Sequence, residues 1–188
     1  MLSYRLWPAA VLLSSVFLLG ACAQGGAGGG DGPGEAPENL SALEAAFVDR
    51  HNEARATATP TPEPPLPPLS WSKSLAETAQ AWAQRCVFEH SETRFGENLA
   101  LLSPREINAE TAATVVGLWD DERVDYSHGS NSCRAGAQCG HYTQMVWRDS
   151  TEVGCGVAEC DDVGGFGAGS LWVCNYNPPG NFVGQRPY

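Results

Sequence analysis

The placement of cysteine constrains this chain more than any other feature. Of seven cysteines in 188 residues, one stands at position 22, directly after an apolar N-terminal stretch, and six lie beyond residue 85. Arg5 precedes the 14-residue run Leu6 to Leu19. That run is too short to span a bilayer comfortably and suits the hydrophobic region of an export signal. An exported chain meets an oxidising compartment, so the even set Cys86, Cys133, Cys139, Cys155, Cys160 and Cys174 reads as a disulfide framework. No pair has the Cys-x-x-Cys spacing of a zinc ribbon or thioredoxin-type site. Spacing alone does not choose among the pairings that six cysteines permit.

Leu19-Gly20-Ala21-Cys22 resembles a bacterial lipobox, in which small residues precede a cysteine that is lipidated and becomes the new N-terminus. The chain then divides into a signal peptide over 1–21, a lipidated Cys22 with a Gly-rich tether over 22–39, and a folded domain over 40–188. Seven glycines between Gly25 and Gly34 make that tether flexible, with a random-coil reach of roughly 20–25 Å. Ala23 and Gln24 follow the cysteine, with no Asp beside it, as in Gram-negative lipoproteins sorted to the outer membrane. The expected location is a membrane-anchored lipoprotein at the outer membrane or cell surface, or the extracellular space if an ordinary signal peptidase cuts here. Beyond the signal, no stretch is long and apolar enough to cross a membrane.

Acidic residues outnumber basic ones 22 to 11, for a net charge of -11, and no two Lys or Arg are adjacent. Such a chain is repelled by phosphate backbones, which excludes nucleic acid as a partner. With 43% apolar residues it has the material for one real core.

Ser41-Ala42-Leu43-Glu44 has the pattern of a capping box and predicts a helix start, with Leu43, Phe47 and Ala54 on one face. Six prolines between Pro60 and Pro68 end it. A second helix is predicted from Ser72, with Leu75, Ala79, Trp82 and Cys86 recurring at helical spacing. A third is predicted from a capping pattern at Ser103-Pro104-Arg105-Glu106, with Val115, Leu118, Trp119 and Glu122 on one face and an end near Tyr126. Val153, Cys155 and Val157, then Leu171, Val173 and Asn175, alternate as two strands around a loop with four glycines over 161–169. Helices first and strands later predict an α+β domain.

Four motifs point further. Gly140-His141-Tyr142-Thr143-Gln144-Met145-Val146-Trp147 and Leu171-Trp172-Val173-Cys174-Asn175-Tyr176-Asn177-Pro178-Pro179-Gly180-Asn181-Phe182 resemble the two signatures of the CAP superfamily. That superfamily comprises cysteine-rich secretory proteins, antigen 5 and pathogenesis-related proteins of group one, and its module is also called the SCP domain. His51-Asn52-x-x-Arg55 and Gly96-Glu97-Asn98-Leu99 are similar to two shorter motifs, in the family's order. The six cysteines and the Arg186-Pro187-Tyr188 ending resemble the plant pathogenesis-related type. The resemblance implies an α-β-α sandwich and the pairings Cys86–Cys160, Cys133–Cys139 and Cys155–Cys174.

It also implies a cavity of two His and two Glu, which falls here on His90, Glu97, Glu122 and His141. Neutral imidazoles are good ligands for Zn²⁺ or another divalent cation, with His90 and His141 as the metal-binding pair, and carboxylates ligate, orient a ring or hold a water. The alternative is a hydrogen-bonded network that only fixes helix, loop and strand. His51 is read as structural, His128 as a loop residue, and Trp82, Trp119, Trp147 and Trp172 as core.

The chain lacks a His-Glu-x-x-His helix and a Gly-x-Ser-x-Gly elbow. Ser127, Ser130 and Ser132 near His128 have no orienting partner in sequence. The leading expectation is a non-catalytic, monomeric binding module for lipid- or sterol-like ligands or for an extracellular protein. One alternative is a metal-dependent hydrolase with Glu97 or Glu122 as base. Another is a peptide precursor, since Pro178 to Tyr188 resembles the C-terminal peptide released from some plant relatives.

Overall fold

A computed structural model describes residues 40–103 and 106–188; Cys22, the signal and the tether lie outside the described residues. Helix α1 (Ala42–Ala56) starts where its sequence requires. The Ser41 hydroxyl accepts from the Glu44 backbone N–H, and the Glu44 carboxylate accepts from the Ser41 N–H at 2.8 Å. Phe47, His51, Ala54 and Arg55 are its buried residues. The short strand β1 (Ser70–Trp71) leads to α2 (Lys73–Ala83), which buries Leu75, Ala79 and Ala83. Trp82 is partly buried: it packs against the α2-side core and carries the Arg85 guanidinium on its ring.

Strand β2 (Gly96–Leu102) follows, then α3 (Ala109–Asp121) with a 3-10 turn at Glu122–Asp125. The start predicted at Ser103 is corrected. Asn108 is the cap: its side chain accepts from the Thr111 N–H at 2.8 Å, and Thr111 Oγ1 accepts from the Asn108 N–H at 3.0 Å. Glu106 instead accepts from the Asn108 carboxamide. Leu118 is 49% exposed, so the apolar face of α3 is narrower than its periodicity implied. A two-strand ribbon, β3 (Tyr126–Ser127) with β4 (Ser132–Cys133), leads to the short helix α4 (Gly140–Met145). The chain closes with β5 (Glu152–Cys160) and β6 (Gly169–Asn177), the antiparallel pair expected around the glycine-rich loop.

The main sheet has the order β1-β5-β6-β2, with β1 parallel to β5 and the other pairs antiparallel. Strand alternation divides its side chains between two layers. Val153, Cys155, Val157, Trp172, Cys174 and Tyr176 pack under α1, α3 and α4, with Phe47, Val115, Val116, Trp119 and Met145. Leu171, Val173 and Leu99 pack under α2 with Ala79 and Ala83. The result is an α-β-α sandwich. Gly154 and Gly156 let α2 lie directly on β5: a Cβ would stand 2.3 Å from the Ala76 nitrogen and 2.2 Å from the Gln80 nitrogen, respectively. The Gln80 carboxamide then pairs with both backbone groups of Val157, at 2.9 and 3.0 Å, and closes part of the β5 edge that the short β1 leaves open.

Disulfides Cys86–Cys160, Cys133–Cys139 and Cys155–Cys174 staple the layers and loops. Cys155 and Cys174 stand directly opposite each other on β5 and β6. Arg55 is the other staple. Its residue is 1% exposed, and its guanidinium donates to Pro67 O, Met145 O, Trp147 O, Arg148 O and Ser150 O. Asn52 adds two bonds to the Leu69 backbone, at 3.0 and 2.7 Å, so the C-terminal end of the proline-rich segment is held to α1. Arg55→Ala strands these buried carbonyls and is expected to cost about 3–5 kcal/mol in urea unfolding. Arg55→Lys keeps the charge but not the planar fork, and is expected to cost at least about 2 kcal/mol. A near-neutral lysine variant would show that charge alone, without the five-way geometry, holds the site.

Candidate functional site

The site is built where β2 begins, and it draws on both faces of the sheet. Glu97 and Asn98 are neighbours on a strand, so their side chains leave in opposite directions. Glu97 turns to the α2 side, where its carboxylate accepts from His90 Nδ1 at 2.9 Å, from the Ser91 N–H at 2.8 Å and from the Ser91 hydroxyl at 2.5 Å. Asn98 turns to the other side, where its amide donates to His141 O at 3.1 Å and to the Tyr176 hydroxyl at 3.0 Å. Gly96 permits the join, since a Cβ there would stand 2.2 Å from Gln144 Oε1. Gln144 bridges onward, donating to Ser150 Oγ and accepting from the Gly180 N–H.

Glu122, at the end of α3, holds the start of α4. Its carboxylate accepts from His141 Nδ1 at 2.5 Å and from the backbone N–H groups of His141 and Tyr142 at 2.9 and 3.1 Å. The His141 ring stacks on Trp119, with centroids 5.9 Å apart. Facing a carboxylate, each Nδ1 is the donor, which fixes both tautomers when the rings are neutral. His90, Glu97 and His141 line one cleft of about 270 Å³ together with Asn98, Gln144 and Asn181. Glu122 reaches that cleft through His141 and itself lines a neighbouring depression beside Asp121, Asp125 and Arg134. The four residues therefore form two His–Glu pairs, one from each layer of the sandwich.

The donor set decides what such a pair of rings can hold. Both carboxylates are occupied in orienting imidazoles, the arrangement that fixes a ring from behind. Among the described residues no three His, Cys, Asp or Glu side chains converge to hold a metal ion. What remains for a cation is two imidazole Nε2 atoms, which fits an open site completed by water and not a closed structural zinc centre.

Other expected residues have other roles. His51 is fully buried and lies behind the site: its Nδ1 is 2.7 Å from Phe47 O and its Nε2 is 2.8 Å from the Tyr176 hydroxyl. The carbonyl makes Nδ1 the donor, so Nε2 accepts from Tyr176, and one hydrogen-bonded path joins His51 through Tyr176 and Asn98 to His141. His128, in the turn between β3 and β4, stacks on Tyr188 at 4.5 Å and places Nε2 2.6 Å from Tyr188 O. Ser127, Ser130 and Ser132 bond to one another at the surface. The tail over 178–188 packs on the domain, through Arg148 N–H to Pro187 O at 2.7 Å and Arg186 to His128 O and Gly129 O. Trp119, Trp147 and Trp172 are buried as expected. Asn98 and Gln144, which carry the site's second layer of bonds, were not singled out from the sequence. Their signal was membership of the same two motifs that supplied Glu97 and His141.

A three-layer, disulfide-stapled module with paired His and Glu at one end of its sheet is the class of protein that these features define. The family model described as "CAP: Cysteine-rich secretory protein family" matches residues 48–176, and the chain belongs to that family. It is 42% identical over 146 residues to pathogenesis-related protein 1B of Nicotiana tabacum, covering 76% of this chain and 79% of that protein. It is 41% identical over 147 residues to a pathogenesis-related protein of PR-1 type from Sambucus nigra, covering 76% of this chain and 80% of that protein. The solved structure of Schistosoma mansoni venom allergen-like protein 4 superposes with a TM-score of 0.60 at 31% identity, over 79% of this chain and 95% of that one. Three disulfides agree with export.

Burial, reinforced by the Arg55 charge, lowers the His51 pKa from 6.5 to about 4. Between those values the unfolded chain binds a proton that the folded chain does not. Stability from this group is therefore full above pH 6.5 and is lost as pH falls toward 4, with a slope of up to about 1.4 kcal/mol per pH unit. His90 acts with the opposite sign: its hydrogen bond to Glu97 raises its pKa, so its contribution is present below pH 6.5 and fades as pH rises through the raised value. Urea midpoints from pH 7 to pH 5 are expected to fall less steeply in His51→Gln than in the parent. Equal slopes would mean that other groups set the acid limb.

Proposed function

We propose that this chain is an exported, non-catalytic binding module, anchored by a lipid on Cys22, that takes a lipid- or sterol-like ligand. The observation that carries this reading is an apolar groove of about 470 Å³ at the open edge of β5, between α1 and α2. Leu43, Phe47, Trp71 and Ala76 line it, with Glu44, Lys73 and Glu77 as its charged residues. Its volume falls within the range of roughly 300–1,000 Å³ typical of small-ligand sites. Both site carboxylates already accept imidazole N–H and other donors, so neither is left as a free base, and binding is the better reading than hydrolysis.

Mass spectrometry of the full chain purified from membranes tests ligand and anchor together. The expected mass includes an acylated Cys22 at the N-terminus and a second hydrophobic species that organic solvent removes. Re-addition of palmitate or cholesterol is expected to bind the parent and to be weakened about tenfold in Leu43→Lys, which puts a charge on the apolar wall. An unacylated chain beginning elsewhere would remove the anchor. Failure of both probes to bind would turn the search to protein ligands.

A second reading rests on the two carboxylate-oriented imidazoles in one cleft. His90 and His141 would hold a divalent cation through Nε2, with Glu97 and Glu122 fixing the rings from behind. The cation would supply concentrated positive charge in that cleft. Zinc titration by calorimetry near pH 7 is expected to give binding to the parent that vanishes in a still-folded His90→Ala/His141→Ala variant. Absence of heat with the parent would leave the pairs a structural network.

A further inference from the structure

One groove is distinguished by what its walls lack. It lies between the segment 126–139 and the tail segment 181–187, encloses about 410 Å³, and has no charged residue in its lining. The chain as a whole carries 22 acidic and 11 basic residues. The apolar groove, the His–Glu cleft and the depression beside Asp121 each contain at least one carboxylate. In their place this groove has three aromatic rings, from Tyr126, Trp147 and Phe182, and the uncharged polar side chains of Ser132, Gln138 and Gln185.

Its frame is held firmly. Asn131 accepts from the Tyr126 hydroxyl at 2.7 Å and donates to Gln185 O at 2.9 Å, tying the tail to the turn before β4. Asn181, at φ 59°, accepts from the Thr143 hydroxyl at 2.7 Å and donates to Gly140 O at 2.8 Å. The Cys133–Cys139 disulfide closes the opposite wall. These bonds use the side chains of Asn131, Thr143 and Asn181 for support. The carboxamides of Gln138 and Gln185 have no such duty, and each offers donors and an acceptor at once.

Trp147 supplies an independent sign. The residue is 3% exposed, yet among the described residues the buried side-chain polar atoms without a partner belong to Asn175 and Tyr188, so the Trp147 indole nitrogen is open to solvent. Trp119 donates to Leu99 O and Trp172 to Ser170 Oγ. The Trp147 indole N–H makes no hydrogen bond among the described residues, and its ring lines the groove and packs edge-to-face with Phe182 at 5.8 Å.

The chemistry of these walls selects a ligand. An anion would find no cation here and a cation no carboxylate, so either would lose hydration without compensation. A wholly apolar ligand would bury carboxamides and an indole N–H unpaired. A ligand with flat apolar faces and a rim of hydroxyls, each both donor and acceptor, satisfies both kinds of wall. We propose that this groove binds a neutral oligosaccharide, with a sugar ring against Phe182 and its hydroxyls paired with Gln138, Gln185 and the Trp147 indole. The groove has no residue in common with the apolar groove at the β5 edge; it borders the His–Glu cleft through Gln138, Gly140 and Asn181 but includes neither imidazole nor Glu97.

The test uses the full chain in a zwitterionic detergent free of sugar headgroups. Cellotriose, maltotriose and tri-N-acetylchitotriose are titrated, with calorimetry and tryptophan fluorescence as readouts. At least one trisaccharide is expected to bind, with a dissociation constant that barely moves between low and high salt, since no charge takes part. Gln185→Ala and Phe182→Ala, both at exposed positions, are each expected to weaken binding by roughly fivefold. Asp49→Asn, at an exposed position of α1 that lines none of the grooves, is expected to leave it unchanged. No binding of any of the three sugars to a folded parent overturns the proposal. So does binding that ignores both substitutions, or a neutral proline-rich peptide that binds where the sugars do not.

Discussion

The Arg55 guanidinium is the interaction on which the rest of the structure depends. It is a cation inside the protein with five backbone carbonyls around it and no carboxylate among its hydrogen-bond partners. Burial and the nearby Arg148 charge pull its pKa down to about 10, which still leaves it charged at neutral pH. Its planar fork supplies one donor for each of five carbonyls that would otherwise be stranded. Those carbonyls belong to the proline-rich segment, the end of α4 and the approach to β5. Through one side chain, α1 therefore fixes the position of α4, and with it His141.

The candidate site inherits its geometry from that arrangement. Glu122 caps the start of α4 while Arg55 gathers carbonyls at its end, so a six-residue helix, too short to be stable alone, is held from both sides. Asn98 then ties β2 to the His141 carbonyl, and Gln144 ties α4 to Gly180. Each imidazole has one nitrogen committed to a carboxylate. Such rings are oriented before any ligand arrives, which is the condition for economical binding.

The apolar groove, the His–Glu cleft and the uncharged groove have different chemistries because different layers build them. The groove at the β5 edge exists because β1 is only two residues long and α1 and α2 lie on opposite faces of the sheet. The His–Glu cleft exists because consecutive residues of β2 face opposite ways. The uncharged groove is walled by the short β3–β4 ribbon, the start of α4 and the irregular tail, pinned by Asn131, Asn181 and a disulfide.

Much of this was legible in the sequence, and the exceptions have physical causes. The capping box at Ser41, the alternation of the last two strands and the four motifs each express a local rule, and each holds. The strand β2 was hidden because Gly-Glu-Asn-Leu-Ala-Leu-Leu lacks both alternation and β-branched residues; its partner β6 makes it a strand. Ser103-Pro104-Arg105-Glu106 and Asn108–Thr111 are both capping patterns, and local chemistry alone does not rank them. Helical spacing put Leu118 on the face of Val115, yet about half of it stays exposed. The sequence by itself determined the elements with strong local signals and the family resemblance, and it nominated the four candidate site residues. Tertiary structure alone decided that those four form two His–Glu pairs from opposite layers, that Arg55 and not an ion pair anchors the interior, and that one groove is free of charge. These are relations between residues 7 to 95 positions apart in the chain, and only packing brings such partners together.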